Sequence, residues 1–239
     1  MSRTLVISQP FFLPWIGLFE QMRLADEFIH YDDVPMPQGR SFISRVQIKS
    51  AQGVSWLTAP VDHNKSGRLI NEIFLISDRD WRRNHLRTIE LSYAKAPHFN
   101  LMFGLIEKIY SYPTDRLAEL NINAIELLAR WLGLSPRFVR SSAMTVKGAG
   151  TQRLVDLCRA VNCNVYVTGH GGLNYLKYDL FEGQAIAVRY IDYEKLPYSQ
   201  LHGEFAPYVS ILDAIANRGE QARELLRSDA VDWRSFHVS

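Results

Sequence analysis

The chain has 239 residues, enough to bury a substantial core, and its 47% hydrophobic content with 12 Phe, 11 Tyr and 5 Trp excludes a largely disordered protein. Its 27 basic and 25 acidic residues leave a net charge of +2, which excludes the strong positive field of a typical nucleic-acid-binding protein. The sequence shows no signal peptide and no apolar run of about 18 residues that would cross a bilayer, so we expect a cytoplasmic protein without membrane insertion.

The first predicted elements form a unit of strand, turn, helix and strand. An apolar strand at Thr4–Ser8 is followed by a turn with two prolines, which regular elements exclude. An amphipathic helix near 17–25 and a strand over 27–31 come next. Because ligands of open α/β sheets bind beyond the carboxyl ends of the strands, the residues that follow these two strands are site candidates.

The segment 34–76 is predicted to be a small antiparallel insertion in a single domain that covers 1–239. It begins with a polar, irregular loop over 34–45, which is long enough to carry function. Its other predicted elements are an alternating strand near 46–49, an extended run over 55–61, a polar loop over 62–68 that includes His63, and a short strand around 72–76.

The rest of the chain alternates helical and strand patterns. This favours an α/β fold with a mainly parallel sheet flanked by helices and a helical C-terminal region. The apolar stripe of the helix after Thr114 indicates core packing rather than a cofactor site, and Gly133 ends that helix. The predicted elements are, in order, a helix over 79–93 capped by Asp78, helices over 100–110 and 114–133, a strand over 138–141, a helix capped by Thr151 that ends at 160, a strand at Val165–Thr168, a strand over 185–191 and helical structure over 210–228.

A glycine-rich loop, Gly169-His170-Gly171-Gly172, follows the strand at Val165–Thr168. Glycine lacks a Cβ and tolerates positive φ, so backbone N–H groups in such a loop can approach an anion or a developing oxyanion. The loop matches neither a Walker loop nor the dinucleotide fingerprint. His170 is the first candidate for an acid or base because it lies in this loop, and the alternative is an ordinary tight loop with a surface histidine.

Asp32 and Asp33 follow the second strand. Neighbouring strand residues point to opposite faces, so at most one of the two is expected to face the crevice, where it would bind a hydroxyl or a metal. The alternative is an aspartate that starts a loop and forms an Asx turn. No cluster of His, Cys or carboxylates has metal-ligand spacing, so we assign no dedicated metal site. Mg²⁺ that arrives with a phosphorylated ligand stays open, and the cofactor is unknown. Cys158 lies on an apolar helix face, where burial would keep the thiol protonated, so a covalent nucleophile is not expected.

Several short motifs are spread over nearly the whole chain, namely Gln9-Pro10, Pro14-Trp15-Ile16-Gly17, Asp32-Asp33-Val34, Trp56-Leu57-Thr58, Gly169-x-Gly171-Gly172-x-Asn174-Tyr175-Leu176 and Tyr198-x-Gln200. Together they resemble the WbqC-like family of bacterial proteins. The resemblance implies transfer of an acyl or aminoacyl group, such as glycine, to a sugar in O-antigen or other surface-polysaccharide biosynthesis. In that family an aspartate often follows the Tyr-Leu pair of the glycine loop, where this chain has Lys177, and the position of His170 is variable. These two points make Gln9, Asn174, Tyr175 and the glycine backbone stronger site candidates than a catalytic His170.

The first hypothesis is therefore a transferase that acts on an amino sugar or a nucleotide-linked sugar, with an unknown acyl donor. The attacking amine must lose a proton, and His170 or Asp33 would accept it. The N–H groups of Gly171 and Gly172 would stabilise the oxyanion.

Other residues would hold the ligand. Trp15 and Tyr175 would stack on a sugar or base, and Arg40 or Arg45 would bind a diphosphate through charge-assisted hydrogen bonds. The further ligand-binding candidates are Gln9, Pro10, Gly17, Asp32, Gly169, Asn174, Tyr198 and Gln200.

Two alternatives stay open. A non-catalytic protein that binds a nucleotide sugar, or that assembles the pathway, would use the same aromatic, glycine and aspartate loops without a nucleophile. An ATP-dependent amide ligase is suggested by the architectural similarity of the first strand, turn and helix to nucleotidyl transferases and pantothenate-synthetase-like ligases.

Overall fold

A mainly parallel sheet forms the centre of the computed structural model, which describes residues 2–62, 67–76 and 80–236. The strands in chain order are β1 (Thr4–Ser8), β2 (Glu27–His30), β3 (Arg45–Ser50), β4 (Gly53–Thr58), β5 (Arg137–Arg140), β6 (Val165–Thr168), β7 (Ala187–Ile191) and β8 (Ala230–Asp232). The helices are α1 (Ile16–Arg23), α2 (Trp81–Tyr93), α3 (Phe99–Tyr110), α4 (Leu117–Trp131), α5 (Gly150–Ala160), α6 (Tyr178–Glu182) and α7 (Ile211–Arg218).

The order of the strands places a topological switch point between β1 and β6. The central sheet runs β5-β2-β1-β6-β7-β8, and its neighbours are parallel except for the antiparallel pair of β7 and β8. The chain moves outward from β1 through β2 to β5, then returns to the other side of β1 as β6 and continues to β7. Connections therefore leave β1 and β6 in opposite directions, which opens a crevice at their carboxyl ends.

Both faces of the central strands are buried. Val6 of β1 belongs to a large core that also takes side chains from α1, α3, α4 and α7. Leu5 and Ile7 belong to a second core, built with α5 and α6. This two-sided burial explains why β1 and β6 have almost continuously apolar sequences. Together with the strand pairing, it confirms the predicted mainly parallel α/β fold.

The predicted small antiparallel element is present as a two-stranded sheet, in which β3 pairs with β4 from Arg45↔Thr58 to Ser50↔Gly53. The strand predicted around 72–76 is wrong. A 3-10 helix, Ile70–Glu72, precedes two isolated bridge residues there, Phe74 and Leu75. The backbone hydrogen bonds of this stretch go to several separate partners, and none of these runs beside it far enough to form a ladder.

Three further expectations differ from the structure. Helix α5 begins at Gly150, with Ala149 before it, and Thr151 does not cap it. The Thr151 hydroxyl instead donates to the carbonyl of Tyr175 at 3.2 Å, because the loop after β6 crosses the start of this helix. The predicted cap Asp78 lies outside the described residues. The C-terminal helical region is α7 followed by a 3-10 helix, and the short elements α6 and β8 had no counterpart in the sequence prediction.

The turn between β1 and α1 is fixed by polar contacts from two distant helices. Leu13 has φ of 42°, a left-handed conformation that is uncommon outside glycine. The Ser210 hydroxyl, at the start of α7, donates to the Leu13 carbonyl at 2.8 Å. The buried Asn121 amide of α4 donates to the carbonyls of Pro10 at 2.7 Å and Ile43 at 2.8 Å. Asn121 therefore ties this turn to the insertion.

His85 of α2 gives the stability of the protein a defined pH dependence. Its Nδ1 lies 2.9 Å from the Tyr110 hydroxyl and its Nε2 lies 3.2 Å from the Thr58 carbonyl oxygen. Burial lowers the pKa of His85 from 6.5 to about 4, although the contact with the Thr58 carbonyl opposes this shift. The unfolded chain therefore binds a proton more readily than the native protein between pH 6.5 and 4, so stability falls as the pH is lowered through this window.

We predict that lowering the pH to 5 costs about 2 kcal/mol of unfolding free energy through His85, as a linkage estimate from its pKa shift. Urea denaturation at pH 7 and pH 5 measures this cost. In His85→Gln the amide can still donate to Thr58 and accept from Tyr110, but it does not titrate. The difference in unfolding free energy between pH 7 and pH 5 should therefore shrink by about 2 kcal/mol in this variant. An unchanged difference in unfolding free energy would contradict the assignment to His85.

Candidate functional site

A cavity of about 740 Å³ opens beyond the carboxyl ends of β1 and β6, at the switch point of the sheet. We call it the switch-point cavity. Its size is in the range of pockets that hold drug-sized ligands. It is lined by Ile7, Ser8, Gln9, Phe11, Gln21, Tyr31, Asp33, Val34, Pro35, Leu69, Gly148, Ala149, Gly150, Arg153, Leu154, Tyr166, Thr168, Gly169, Gly171, Gly172 and Tyr175.

Gln9 offers an unused amide to the cavity. It follows directly on the last residue of β1, and its side chain is half-buried. Among the described residues the side-chain amide has no hydrogen-bond partner, while the Ser8 hydroxyl donates to the Gln9 backbone carbonyl at 3.1 Å. An amide both donates and accepts, so Gln9 is suited to a hydroxyl, an amide or a base edge.

The charged groups of the cavity are Asp33 and Arg153, within the described part of the chain. Arg153 of α5 is 5% exposed and its guanidinium donates to Asp33 Oδ2 at 2.5 Å. Burial opposes the charge of Arg153, but hydrogen bonds and electrostatic interactions with Asp33 and Tyr31 outweigh it, so the pKa of Arg153 is raised. The other Asp33 oxygen, Oδ1, lies within hydrogen-bond distance of the Ser141 hydroxyl. These two contacts hold the Asp33 carboxylate in one orientation.

Asp32 does not line the cavity. Its carboxylate accepts from the Ser142 N–H at 3.0 Å and from the Ser142 hydroxyl at 2.7 Å, and Ser141 contacts it as well. These bonds tie the end of β2 to the 3-10 helix after β5. As strand alternation predicted, only Asp33 faces the crevice, so the geometry gives Asp32 a structural role rather than the predicted ligand contact.

The glycine loop brings backbone N–H groups to the wall of the cavity. It forms a 3-10 helix, His170–Asn174, in which the Gly172 N–H donates to the Gly169 carbonyl at 3.0 Å. The Gly171 N–H has no such acceptor among the described residues. A Cβ on Gly171 would meet nothing within 4 Å, whereas a Cβ on Gly172 would lie 3.0 Å from Leu176. Of these two lining glycines, Gly171 therefore has open space beside its Cα, and Gly172 is close-packed.

His170 lies next to the cavity residues in sequence but does not line the cavity. Its Nε2 is 3.0 Å from the Ile191 carbonyl oxygen, and its ring packs against Tyr193 and Phe236. The geometry therefore gives no support to the predicted catalytic role. Asn174 is exposed and also outside the lining, while Tyr175, 56% exposed, stands at the rim.

Trp15 and Gly17 form a packing unit outside the cavity. The Trp15 ring lies 4.8 Å from the ring of Tyr193 and 5.2 Å from that of Tyr208. A Cβ on Gly17 would lie 2.1 Å from Trp15 Cζ2, so glycine is required for the ring to lie there. Buried Pro10 is also outside the lining, and its carbonyl accepts from α4.

The remaining predicted contacts also lie elsewhere. Tyr198 donates to the buried Asp213 at 2.9 Å, and Gln200 accepts from the buried Lys49 at 3.1 Å, so both belong to an internal polar network. Arg40 is exposed, away from the lining. The Arg45 guanidinium stacks 3.7 Å above the Trp56 ring. The structure does not bring these residues to the switch-point cavity.

Two parts of the site were missed by the sequence interpretation. The start of α5 reaches the cavity through Gly148 and Gly150, whose φ values are +110° and +61°. A Gly-x-Gly pair at the start of a helix was the available signal. Arg153 was not singled out, because nothing in the sequence separates it from the other arginines. Only the fold places it beside Asp33.

Neither a metal nor a membrane assignment gains support. The described residues contain no group of three or more His, Cys, Asp or Glu side chains that would hold a metal ion. Across the same stretches, every helix is too short or too polar to cross a membrane. Burial raises the pKa of Cys158 well above its usual range, as expected for an inert thiol.

The ion pair at the cavity yields a stability prediction. Arg153→Met leaves the Asp33 charge partly buried without its partner, so the variant should lose stability, and adding Asp33→Asn should restore part of it. We expect a coupling energy of about 1–2 kcal/mol in a double-mutant cycle measured by urea denaturation. The control is Arg130→Met, whose exposed pair with Glu126 should contribute about 0.5 kcal/mol or less. Additive effects of the two cavity substitutions would contradict the pairing.

Comparison with known proteins agrees with the motifs of the sequence. A profile of the WbqC-like protein family matches residues 9–225. The chain is 34% identical over 229 residues to the uncharacterized protein Rv1507c of Mycobacterium tuberculosis (strain ATCC 25618 / H37Rv), covering 94% of this chain and 98% of that protein. No solved structure matches the chain. The matched range begins at the first residue after β1 and extends beyond α7, so the chain belongs to the WbqC-like protein family.

Proposed function

We propose that the switch-point cavity binds a sugar derivative, in nucleotide-linked form, and that the protein transfers an acyl or aminoacyl group to its amine in surface-polysaccharide biosynthesis. The observation that carries this proposal is the position of the cavity, where unpaired polar groups of the chain meet at the carboxyl ends of two central strands. A cytoplasmic location is part of the proposal.

The lining suits a ligand with hydroxyls and an anionic part. The Gln9 amide and the Gly171 N–H supply hydrogen-bonding groups that no described residue uses. The first four N–H groups of a helix lack intrahelical partners, and α5 begins at the cavity wall, which favours a phosphate there. Tyr31 and Tyr175 add ring surface against which a sugar or base can pack.

In the proposed reaction, the amine nitrogen of the sugar attacks the carbonyl carbon of the acyl donor. The new C–N bond forms, the bond between that carbon and the donor's leaving atom breaks with its electron pair, and the amine loses a proton. The Gly171 N–H would donate to the oxyanion that develops. Asp33 would accept the proton or hold the amine, because each of its oxygens has a second lone pair beyond its present contact.

A non-catalytic binding protein is the second candidate. The observation that favours it is the ion pair of Asp33 with Arg153, because this carboxylate already has a guanidinium partner and serves to hold the wall of the cavity together. No described histidine lines the cavity to take its place.

Thermal-shift measurements with nucleotide sugars, with and without an amino group on the sugar, test the binding step. Mass spectrometry of the sugar after incubation with activated acyl and aminoacyl donors tests the transfer. Binding with a mass increase that corresponds to the acyl group supports the transferase, and binding without turnover favours the second candidate. Release of pyrophosphate or phosphate from ATP in the presence of an acid and an amine would instead identify a ligase.

We predict that Gly171→Ala weakens nucleotide-sugar binding at least tenfold and leaves stability within about 0.5 kcal/mol of the parent protein. The added methyl group meets no atom of the protein within 4 Å, yet it would stand where the ligand approaches the backbone. Isothermal titration calorimetry and urea denaturation measure the two quantities.

The matched control for this prediction is Gly104→Ala in α3, where a Cβ also meets nothing within 4 Å. This variant should bind like the parent protein and gain about 0.5–1 kcal/mol of helix stability. Unchanged binding by a well-folded Gly171→Ala would remove the glycine loop from the site.

A further inference from the structure

A second cavity, of about 210 Å³, lies beside the switch-point cavity and shares one wall with it. Phe11 lines both cavities. The other lining residues come from the turn before α1, the start of the insertion and the segment before α7. We call this cavity the aromatic groove, and it is lined by Phe11, Phe12, Pro14, Trp15, Phe42, Val46 and Tyr208.

The side chains of the aromatic groove are almost entirely hydrocarbon. Only Trp15 and Tyr208 carry a polar atom, one each. A sugar ring or a nucleobase would leave several of its own polar groups without partners there, at a cost that aromatic contact does not offset. A hydrocarbon group has no hydrogen bonds with water to lose when it enters the groove, so the lining selects an apolar occupant.

The rim of the groove exposes more aromatic surface than an isolated folded chain favours. Phe42 is 52% exposed and Tyr208 is 49% exposed. Phe42 is held in this position by two contacts. Its ring centroid lies 5.7 Å from that of Trp56, and its backbone carbonyl accepts from the Phe12 N–H at 2.9 Å. Trp56 is in turn covered by the Arg45 guanidinium. A braced, exposed aromatic rim around a concave cavity is typical of a binding site.

The turn that separates the two cavities is held in an uncommon conformation. Leu13 adopts its left-handed φ at the centre of this turn, under the hydrogen bond from Ser210. Phe11 thereby lines both cavities, while Phe12 and Trp15 line the aromatic groove and not the switch-point cavity. Backbone conformations of this kind persist where the surrounding structure fixes them, and they cluster at ligand sites.

We propose that the aromatic groove binds the hydrocarbon chain of the acyl group that is transferred, with its carbonyl end at Phe11, facing the switch-point cavity. This inference rests on the proposed function and specifies its donor. An apolar cavity of about 150 Å³ binds benzene, so a groove of about 210 Å³ holds a chain of roughly eight carbons. The donor is then a medium-length acyl group rather than glycine.

The test uses butanoate, hexanoate and octanoate as probes, with binding to the full chain measured by isothermal titration calorimetry. Each methylene that enters the groove should tighten binding up to about fourfold. Phe42→Ala and Tyr208→Ala remove exposed walls of the groove, so they should weaken octanoate binding at least fivefold and change butanoate binding little. Thermal denaturation confirms that each variant folds.

The control is Leu91→Ala, which removes an exposed apolar side chain of α2, 69% exposed, away from the groove. It should retain the chain-length dependence of the parent protein. Equal affinity for the three carboxylates, or octanoate binding that survives both groove substitutions, would overturn the proposal. A dimer that sedimentation velocity detects and that Phe42→Ala dissociates would also overturn it, because a second copy would then cover the groove.

Nucleotide-sugar binding and carboxylate binding test the two cavities separately. Loss of nucleotide-sugar binding in every assay, with the carboxylate series intact, would overturn the sugar site and leave the acyl groove supported. Nucleotide-sugar binding that Gly171→Ala weakens, together with a flat carboxylate series, would support the sugar site and overturn the groove.

Discussion

The geometry of the turn between β1 and α1 is the constraint on which both cavities depend. β1 ends at the switch point of the sheet, so the path of the chain after Ser8 decides what faces the crevice. A left-handed Leu13 reverses that path, and hydrogen bonds from Asn121 and Ser210 to the turn's carbonyls hold it there. Because these donors come from α4 and α7, the site is shaped by helices far away in the chain. The turn leaves the Gln9 amide in one cavity and sets Phe11 between the two.

The electrostatics of the switch-point cavity favour binding and orientation over strong base catalysis. Asp33 and Arg153 neutralise one another, so the polar character that remains comes from uncharged donors and from the start of α5. An amide, a free backbone N–H and a helix N-terminus recognise hydroxyls and phosphates without large desolvation costs. Transfer to an amine at such a site would depend mainly on positioning and on stabilisation of the oxyanion, for which preorganised donors are effective.

Sequence patterns predicted the parts of the fold that rest on local chemistry. Thr4–Ser8 and Val165–Thr168 were placed within their observed bounds, because short apolar runs between turn residues have few other structures open to them. Of the predicted site, Gln9, Asp33, Gly169, Gly171, Gly172 and Tyr175 meet around one cavity. His170, Trp15 and Tyr198 do not, because side-chain direction at a loop or turn depends on contacts such as the Ile191 carbonyl, which no local pattern encodes.

The sequence by itself determined that β1 and β6 are buried strands, that glycine and aspartate loops follow strand ends, and that the chain has the motifs of the WbqC-like family. Only the tertiary structure decided that β6 lies beside β1, that Arg153 pairs with Asp33, and that Phe11 separates two cavities. The physical reason is the distance along the chain over which each kind of interaction acts. Propensities and periodicity act over a few residues, whereas a site is assembled from contacts between segments more than a hundred residues apart in the chain, such as Asp33 and Arg153, which differ in sequence position by 120.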